Sequence, residues 1–107
     1  MNSNLRSKAL LAASIWLAGP AGLAQSSGAT IYKAKCLVCH GTDGLASSGV
    51  GKVMKVKPAT DPDVRKMSEA EMIAATRNGM GRMQPHKDSL TDAEIKASVA
   101  YFRTFVK

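Results

Sequence analysis

The sequence predicts an all-α fold with three main helices in a single domain. Two helix-capping signatures, one at Ser68 and one at Thr91, each precede a segment with helical periodicity. No stretch shows the strict alternation of apolar and polar residues that is typical of strands. A length of 107 residues allows one domain rather than two.

The first predicted helix spans roughly residues 28–39. Ser26 or Ser27 is placed to cap its N-terminus. Gly41 and the Asp43-Gly44 pair are typical turn residues, so we expect the chain to leave the helix there.

The second predicted helix covers residues 69–78. Ser68 is its N-cap, and Glu71 completes a capping box with it. Met67 before the cap and Met72 inside the helix are spaced as a hydrophobic staple. These signals are local, so they predict where the helix begins without reference to the rest of the fold.

The last predicted helix runs from Asp92 to about Val106. Thr91 and Glu94 form its capping box, and Leu90 and Ile95 form its staple. The helix has an apolar stripe whose members are four, three and four residues apart, namely Ile95, Val99, Phe102 and Val106. We expect this stripe to pack in the core.

Residues 41–67 are predicted to be irregular, with one short helical turn around residues 52–55. Several glycines and prolines interrupt this segment. A loop of this length is unusual in so small a domain unless it packs on something other than protein. A bound cofactor would explain it.

Residues 1–24 have the organisation of a cleaved secretory signal peptide. Arg6 and Lys8 precede an apolar run at residues 9–18, and Gly22-Leu23-Ala24 provides small residues for cleavage. The alternative is an uncleaved membrane anchor, but ten residues of helix span only about half of a bilayer's hydrocarbon core. We therefore expect export to the periplasm and no stable membrane insertion after cleavage.

Cleavage would leave residues 25–107 as one domain. Loss of two cationic side chains would lower the net charge from +7 to +5. The remaining 83 residues contain few large apolar side chains, and a domain of this size usually needs a disulfide, metal or cofactor for stability.

Both cysteines and one of the two histidines lie within five residues, Cys36-Leu37-Val38-Cys39-His40. C-x-x-C-H is the attachment sequence of c-type haem. Two thiols at this spacing can form thioethers with the two vinyl groups of one porphyrin, and His40 then lies where its imidazole can bind the iron. The motif predicts one covalent haem c per chain.

Three other interpretations of the motif are weaker. A thioredoxin-like C-x-x-C site belongs near a βαβ pattern, which is absent here. A zinc site needs four ligands, and the only other histidine is His86. A disulfide between Cys36 and Cys39 leaves His40 without a role.

A second axial ligand would close the iron site. Met80 and Met83 lie in a loop between two predicted helices, where Gly79 and Gly81 allow the backbone to approach a haem face. His86 is a third candidate. Methionines at 54, 67 and 72 have simpler roles as packing residues.

The chain resembles the small bacterial monohaem cytochromes c of the class that includes mitochondrial cytochrome c. The similarity extends over residues 27–107 and rests on the C-x-x-C-H helix, the methionine loop and the Leu-Thr-Asp-x-Glu-Ile start of the last helix. Gly28, Tyr32 and Tyr101 match positions at which the family packs its first and last helices together. The resemblance implies a cytochrome c-like fold and places Met83 at the sixth-ligand position, with Met80 as the alternative.

The sequence departs from the family pattern in three places. Gln84 separates Met83 from Pro85, where the family often has Met-Pro, and this keeps Met80 open as a ligand. Ser98 replaces a large aliphatic residue, so we expect a weaker contact between the first and last helices. No acceptor for the other ring nitrogen of His40 is evident.

The resemblance implies an electron-transfer protein rather than an enzyme. Alternatives are a haem c subunit or domain of a larger oxidoreductase, an open-site haem peroxidase or sensor, and a thiol-disulfide exchange protein. The basic residues are either an ordinary solvated surface or a surface that docks on acidic redox partners such as a dehydrogenase, cytochrome complex or oxidase. Nucleic acid is not expected to bind. The basic residues concerned are Lys33, Lys35, Lys52, Lys55, Lys57, Arg82 and Lys87.

Overall fold

The computed structural model describes residues 27–107, and this part of the chain is helical. The six helices are α1 (Gly28–Lys35), α2 (Leu37–His40), α3 (Gly49–Val53), α4 (Pro62–Arg65), α5 (Glu69–Asn78) and α6 (Asp92–Arg103). An isolated bridge between Met80 and Met83 is the only β-type pairing within residues 27–107. The predicted all-α fold is confirmed. The predicted signal segment, residues 1–24, lies outside the described residues.

The core lies where α1, α5 and α6 meet, and it is small. Its buried side chains come from these helices and from the residue before the last cap: Ile31, Met72, Leu90, Ile95 and Val99. Both predicted staples contribute, since Met67 packs against this cluster. Within residues 27–107, none of the helices is both long enough and apolar enough to cross a bilayer.

The contact between α1 and α6 depends on a glycine and two tyrosines. A Cβ at Gly28 would lie 2.1 Å from the carbonyl oxygen of Ala97, so a side chain there would separate the helices. The rings of Tyr32 and Tyr101 are 5.2 Å apart. The expected pairing of the first and last helices is therefore present.

Ser98 lies on α6, at the position where the family commonly has a large aliphatic residue. Its side chain is buried, and its Oγ donates to the carbonyl of Ile95 at 2.9 Å. The hydroxyl is thus satisfied within its own helix. The expected weakening of the α1–α6 contact stays a prediction.

Both predicted capping boxes are present. The Ser68 hydroxyl accepts from the Glu71 amide at 3.1 Å, and the Glu71 carboxylate accepts from the Ser68 amide at 2.8 Å. The pair at Thr91 and Glu94 repeats these bonds at the same lengths. Helix α5 has the predicted bounds.

Helix α6 ends at Arg103, three residues before the predicted end at Val106. Beyond it the amides of Thr104, Phe105 and Val106 bond to carbonyls three residues back. This tighter pattern is common at helix termini, and it satisfies carbonyls that the helix itself leaves unpaired.

The prediction of one continuous helix over residues 28–39 is wrong. The helix is interrupted at Cys36, whose φ of −113° departs from the helical value of about −63°. Helix α2 then continues to His40 and ends at Gly41. The interruption falls at the first cysteine of the C-x-x-C-H motif, whose ψ of −33° remains in the right-handed helical region.

Residues 41–67 contain two short helices instead of the single predicted turn. Ser48 caps α3 by accepting from the Gly51 amide at 3.0 Å, and α3 begins before the predicted turn. Asp61 caps α4 in the same way, followed by Pro62 at its first position. A serine cap at Ser48 and an aspartate cap followed by proline at Asp61 are recognisable in the sequence, and the prediction overlooked them.

Candidate functional site

A cavity of about 770 Å³ opens beside α2. Helices α1, α2, α5 and α6 contribute to its walls, together with residues 54–57 and the loop that follows α5. Asp63, Val64 and Met67 complete the lining. The cavity brings together every residue that the sequence singled out as a ligand or attachment site, namely Cys36, Cys39, His40, Met80, Met83 and His86.

The cysteines are half-buried in the cavity wall and are not joined in a disulfide. Burial, with the nearby Cys39 as a smaller cause, raises the pKa of the Cys36 thiol to about 11. Thiols that exchange disulfides usually have a lowered pKa, because the thiolate is the reactive form. The raised pKa of Cys36 is therefore the opposite of what a thiol-disulfide exchange protein requires.

His40 is held as a neutral imidazole. Burial lowers its pKa, and electrostatic repulsion from nearby His86 is a smaller cause in the same direction. A neutral imidazole has a nitrogen lone pair to offer a metal. The edge of the ring meets Phe102, with ring centres 5.3 Å apart.

The Nδ1 atom of His40 is buried and has no hydrogen-bond partner among the described residues. A buried polar atom without a partner is costly, so the described polypeptide does not by itself satisfy this imidazole. The sequence likewise offered no evident acceptor for that nitrogen.

The loop after α5 presents two methionines to the cavity. The amide of Met80 donates to Met83 at 3.1 Å, and the amide of Met83 donates to Met80 at 2.9 Å, so residues 80–83 form a tight turn. Arg82 ties this turn to α3 by donating to the carbonyl of Val53 at 3.2 Å. Met83 is half-buried, whereas Met80 is 60% exposed.

His86 lies beyond the turn and is fixed by its backbone. Its amide donates to the carbonyl of Thr76 at 2.9 Å. This bond fastens the end of the loop to α5, and the His86 side chain lines the same cavity as the two methionines.

The residues around the cavity fit covalent haem. Two thiols are available for thioethers, a neutral imidazole is next to them, and thioether sulfurs lie on the loop. The volume lies within the usual range for cofactor sites, roughly 300–1,000 Å³. Zinc fits less well, since no group of three or more His, Cys, Asp or Glu side chains suited to a metal occurs in residues 27–107.

Charged side chains also reach the cavity. Of the seven basic residues expected near it, four line it: Lys35, Lys55, Lys57 and Arg82. Asp63 also lines the cavity and pairs with Lys57 at 2.6 Å, although nothing in the sequence marks it as a site residue. No motif marks this aspartate, because its role depends on where α4 packs.

An all-α fold with this cavity and this cysteine-histidine motif defines a small monohaem c-type cytochrome. The family model described as "Cytochrome C oxidase, cbb3-type, subunit III" matches residues 23–102, and the chain belongs to this family. As in c-type cytochromes generally, the cofactor is covalently bound haem c with its iron.

Individual relatives agree with this assignment. The chain is 32% identical over 79 residues to cytochrome c6 of Bryopsis maxima, an alignment covering 69% of this chain and 83% of that protein. Its fold resembles the solved structure of the KustC0563 c-type cytochrome, with a TM-score of 0.69, 31% identity and coverage of 77% of this chain and 100% of the other. A tyrosine-to-phenylalanine mutant of that cytochrome gives a TM-score of 0.67 at 29% identity, covering 75% and 99% of the two chains.

Proposed function

We propose that this protein is an exported carrier of single electrons, with haem c bound through Cys36 and Cys39 and with iron ligated by His40 and Met83. The observation that carries the proposal is the single cavity into which both thiols, the neutral imidazole and the methionine loop converge. The carrier role follows from the class, because c-type cytochromes transfer electrons through haem iron.

Each residue has a distinct task in this proposal. When bound, haem c supplies a reversible one-electron iron couple. The thioethers at Cys36 and Cys39 prevent its loss. His40 would hold the iron through its imidazole lone pair, and the thioether of Met83 would favour the ferrous state and so raise the reduction potential.

Met83 is proposed over Met80 and His86 as the second ligand. Met83 is half-buried, whereas Met80 is 60% exposed. Both side chains line the cavity, and the less exposed thioether is better protected from competing water. His86 is the third choice, because the match to the family pattern favours a methionine from the turn.

The reaction requires no proton-transfer residue and no substrate pocket, so we propose a carrier rather than an enzyme. The open-site alternative would need a loop that releases its sulfur ligand. The bond from Arg82 to Val53 restrains the loop and supports the closed site.

The basic cavity rim supports docking to acidic redox partners. Lys35, Lys55 and Arg82 reach the cavity, and the apolar side chains of Val53 and Met80 nearby are 73% and 60% exposed. Cations steer encounter with an acidic partner, and apolar side chains between them favour a contact close enough for electron transfer.

Export to the periplasm is part of the same proposal. It is supported by the charged start, apolar run and small residues at 1–24, and the carrier domain would then be residues 25–107. Mass determination of the purified protein tests the cleavage site directly.

A second candidate is a haem c subunit held permanently on a larger oxidase. The family description, which names an oxidase subunit, favours it. Isolation of the protein from its native membrane at low detergent distinguishes the two. A free carrier elutes alone at its monomer mass, whereas a subunit elutes with its oxidase.

The proposed attachment is tested by mass and haem retention. The exported protein should keep its haem through acid-acetone extraction and carry the mass of one haem. Replacing both thiols, Cys36→Ser with Cys39→Ser, should abolish retention, and Met54→Leu is the matched control that should keep it. Haem extracted from the unaltered protein would show that the thiols are not the attachment sites.

A further inference from the structure

Helix α3 ends in a turn that usually requires glycine. The amide of Val56 donates to the carbonyl of Gly51 at 3.0 Å, and the amide of Lys55 donates to that of Lys52 at 3.2 Å. These two bonds define a Schellman motif, whose left-handed position is most often glycine or asparagine. Here the position is Lys55, with φ of +56°.

This lysine is unusual in the described chain. Within residues 27–107 the only other non-glycine residue with positive φ is Ala46. A lysine in the left-handed conformation carries a steric cost that glycine avoids. Such a deviation in a cavity wall suggests that the side chain has a function.

The turn directs the chain along the cavity. Residues 54–57 all line it, so the left-handed conformation at Lys55 keeps four consecutive residues at the wall. Lys55 itself is exposed, which places its ammonium group where the cavity meets solvent.

Two of the other three cations that line the cavity are engaged elsewhere. Lys57 pairs with Asp63 at 2.6 Å, and Arg82 donates to the carbonyl of Val53. Lys35 directly precedes Cys36, so it lies beside the thiols. The side chain of Lys55 has no hydrogen bond or ion pair with any residue in the range 27–107.

The haem periphery supplies the anions that such a cation would bind. Once the vinyl groups are joined to the cysteines, the two propionates are the remaining polar substituents, and they belong to the other two pyrrole rings. We propose that Lys55 is a positioning residue that holds a haem propionate, and that its left-handed backbone is retained for this contact. This inference rests on the proposed attachment of haem in the cavity.

The test compares three variants of the haem-loaded protein. Lys55→Asn removes the charge but keeps a residue that tolerates the left-handed turn. Lys55→Arg keeps the charge. Lys66→Asn removes an exposed cation that does not line the cavity.

The readout is the reduction potential. A cation at a propionate stabilises the ferrous state, because reduction adds one negative charge. Lys55→Asn should reduce the equilibrium constant for reduction by three- to tenfold, a fall of about 30–60 mV for a one-electron couple. Lys55→Arg should restore the potential, and Lys66→Asn should leave it unchanged.

An unchanged reduction potential in Lys55→Asn would overturn the inference. If that variant changed only the salt dependence of electron transfer, Lys55 would instead act in partner docking. An equal fall in Lys66→Asn would also overturn it, because the effect would then come from net charge alone. Failure of the proposed function is distinguishable, since the unaltered protein would then lack covalent haem.

Discussion

Met80 and Met83 are joined by two reciprocal backbone hydrogen bonds, of 3.1 and 2.9 Å. The turn that these bonds close holds the two thioethers at different depths, with Met83 half-buried and Met80 60% exposed. The pairing therefore determines which sulfur is better placed as an iron ligand.

Met83→Ala should abolish the weak near-infrared band of thioether-ligated ferric haem and lower the reduction potential, because the iron loses the ligand that favours its ferrous state. Met80→Ala is the matched control and should keep the band. The measurement is the absorption spectrum of the oxidised protein. A band that survives in Met83→Ala and disappears in Met80→Ala would transfer the ligand role to Met80.

Tyr32→Phe should lower the free energy of unfolding by about 1–2 kcal/mol. The buried Tyr32 hydroxyl donates to the carbonyl of Gly41 at 2.6 Å, and this bond fastens the end of α2 to α1. Removing the hydroxyl leaves a buried carbonyl short of a donor. Urea denaturation of the haem-loaded protein measures the change.

Tyr101→Phe provides the control for that measurement. Tyr101 belongs to the same aromatic cluster but is only half-buried, and the structure assigns its hydroxyl no hydrogen bond within residues 27–107. It should change stability by less than about 0.5 kcal/mol. Equal losses in both variants would show that the Tyr32–Gly41 bond is not the cause.

Gly28→Ala should destabilise the protein by about 1–3 kcal/mol, since the added methyl group forces α1 away from the Ala97 carbonyl. Gly49→Ala is the matched control, because a Cβ there meets nothing within 4 Å. Gly49→Ala should leave the free energy of unfolding unchanged or raise it by about 0.4–1 kcal/mol, because alanine reduces the conformational entropy of the unfolded chain. Thermal unfolding compares the two, and a destabilised Gly49→Ala with an unaffected Gly28→Ala would contradict the packing described here.

Electron transfer to an acidic partner should slow as ionic strength rises, because salt screens the cations at the cavity. Stopped-flow kinetics against an acidic redox protein measure this dependence. Lys35→Gln should make it shallower, whereas Lys96→Gln, at an exposed position on α6 away from the cavity, should not. A flat profile for the unaltered protein would eliminate steering.

The parts of the fold that the sequence predicted are those encoded by neighbouring residues. The capping boxes at Ser68 and Thr91 need only residues three positions apart, and α5 and α6 begin where they indicate. Helix α3 depends on packing as well, because Gly51 lies against the carbonyl of Cys39, 2.5 Å from where a Cβ would be. Such a contact has no signature in local sequence.

The site divides in the same way. C-x-x-C-H is contiguous, so Cys36, Cys39 and His40 could be proposed from sequence alone. The partial burial of Met83 depends on a turn that Arg82 ties to Val53, and these two residues are 29 positions apart in the sequence. The pairing of Lys57 with Asp63 and the left-handed conformation of Lys55 likewise required the structure.

The most direct test of the central claim is an optical redox titration of the purified, exported protein. We expect one reversible one-electron transition, with the reduced spectrum of a low-spin c-type haem and the thioether band in the oxidised state. The ferrous protein should not bind carbon monoxide at neutral pH. A protein without bound haem, or a ferrous form that binds carbon monoxide readily, would contradict the claim.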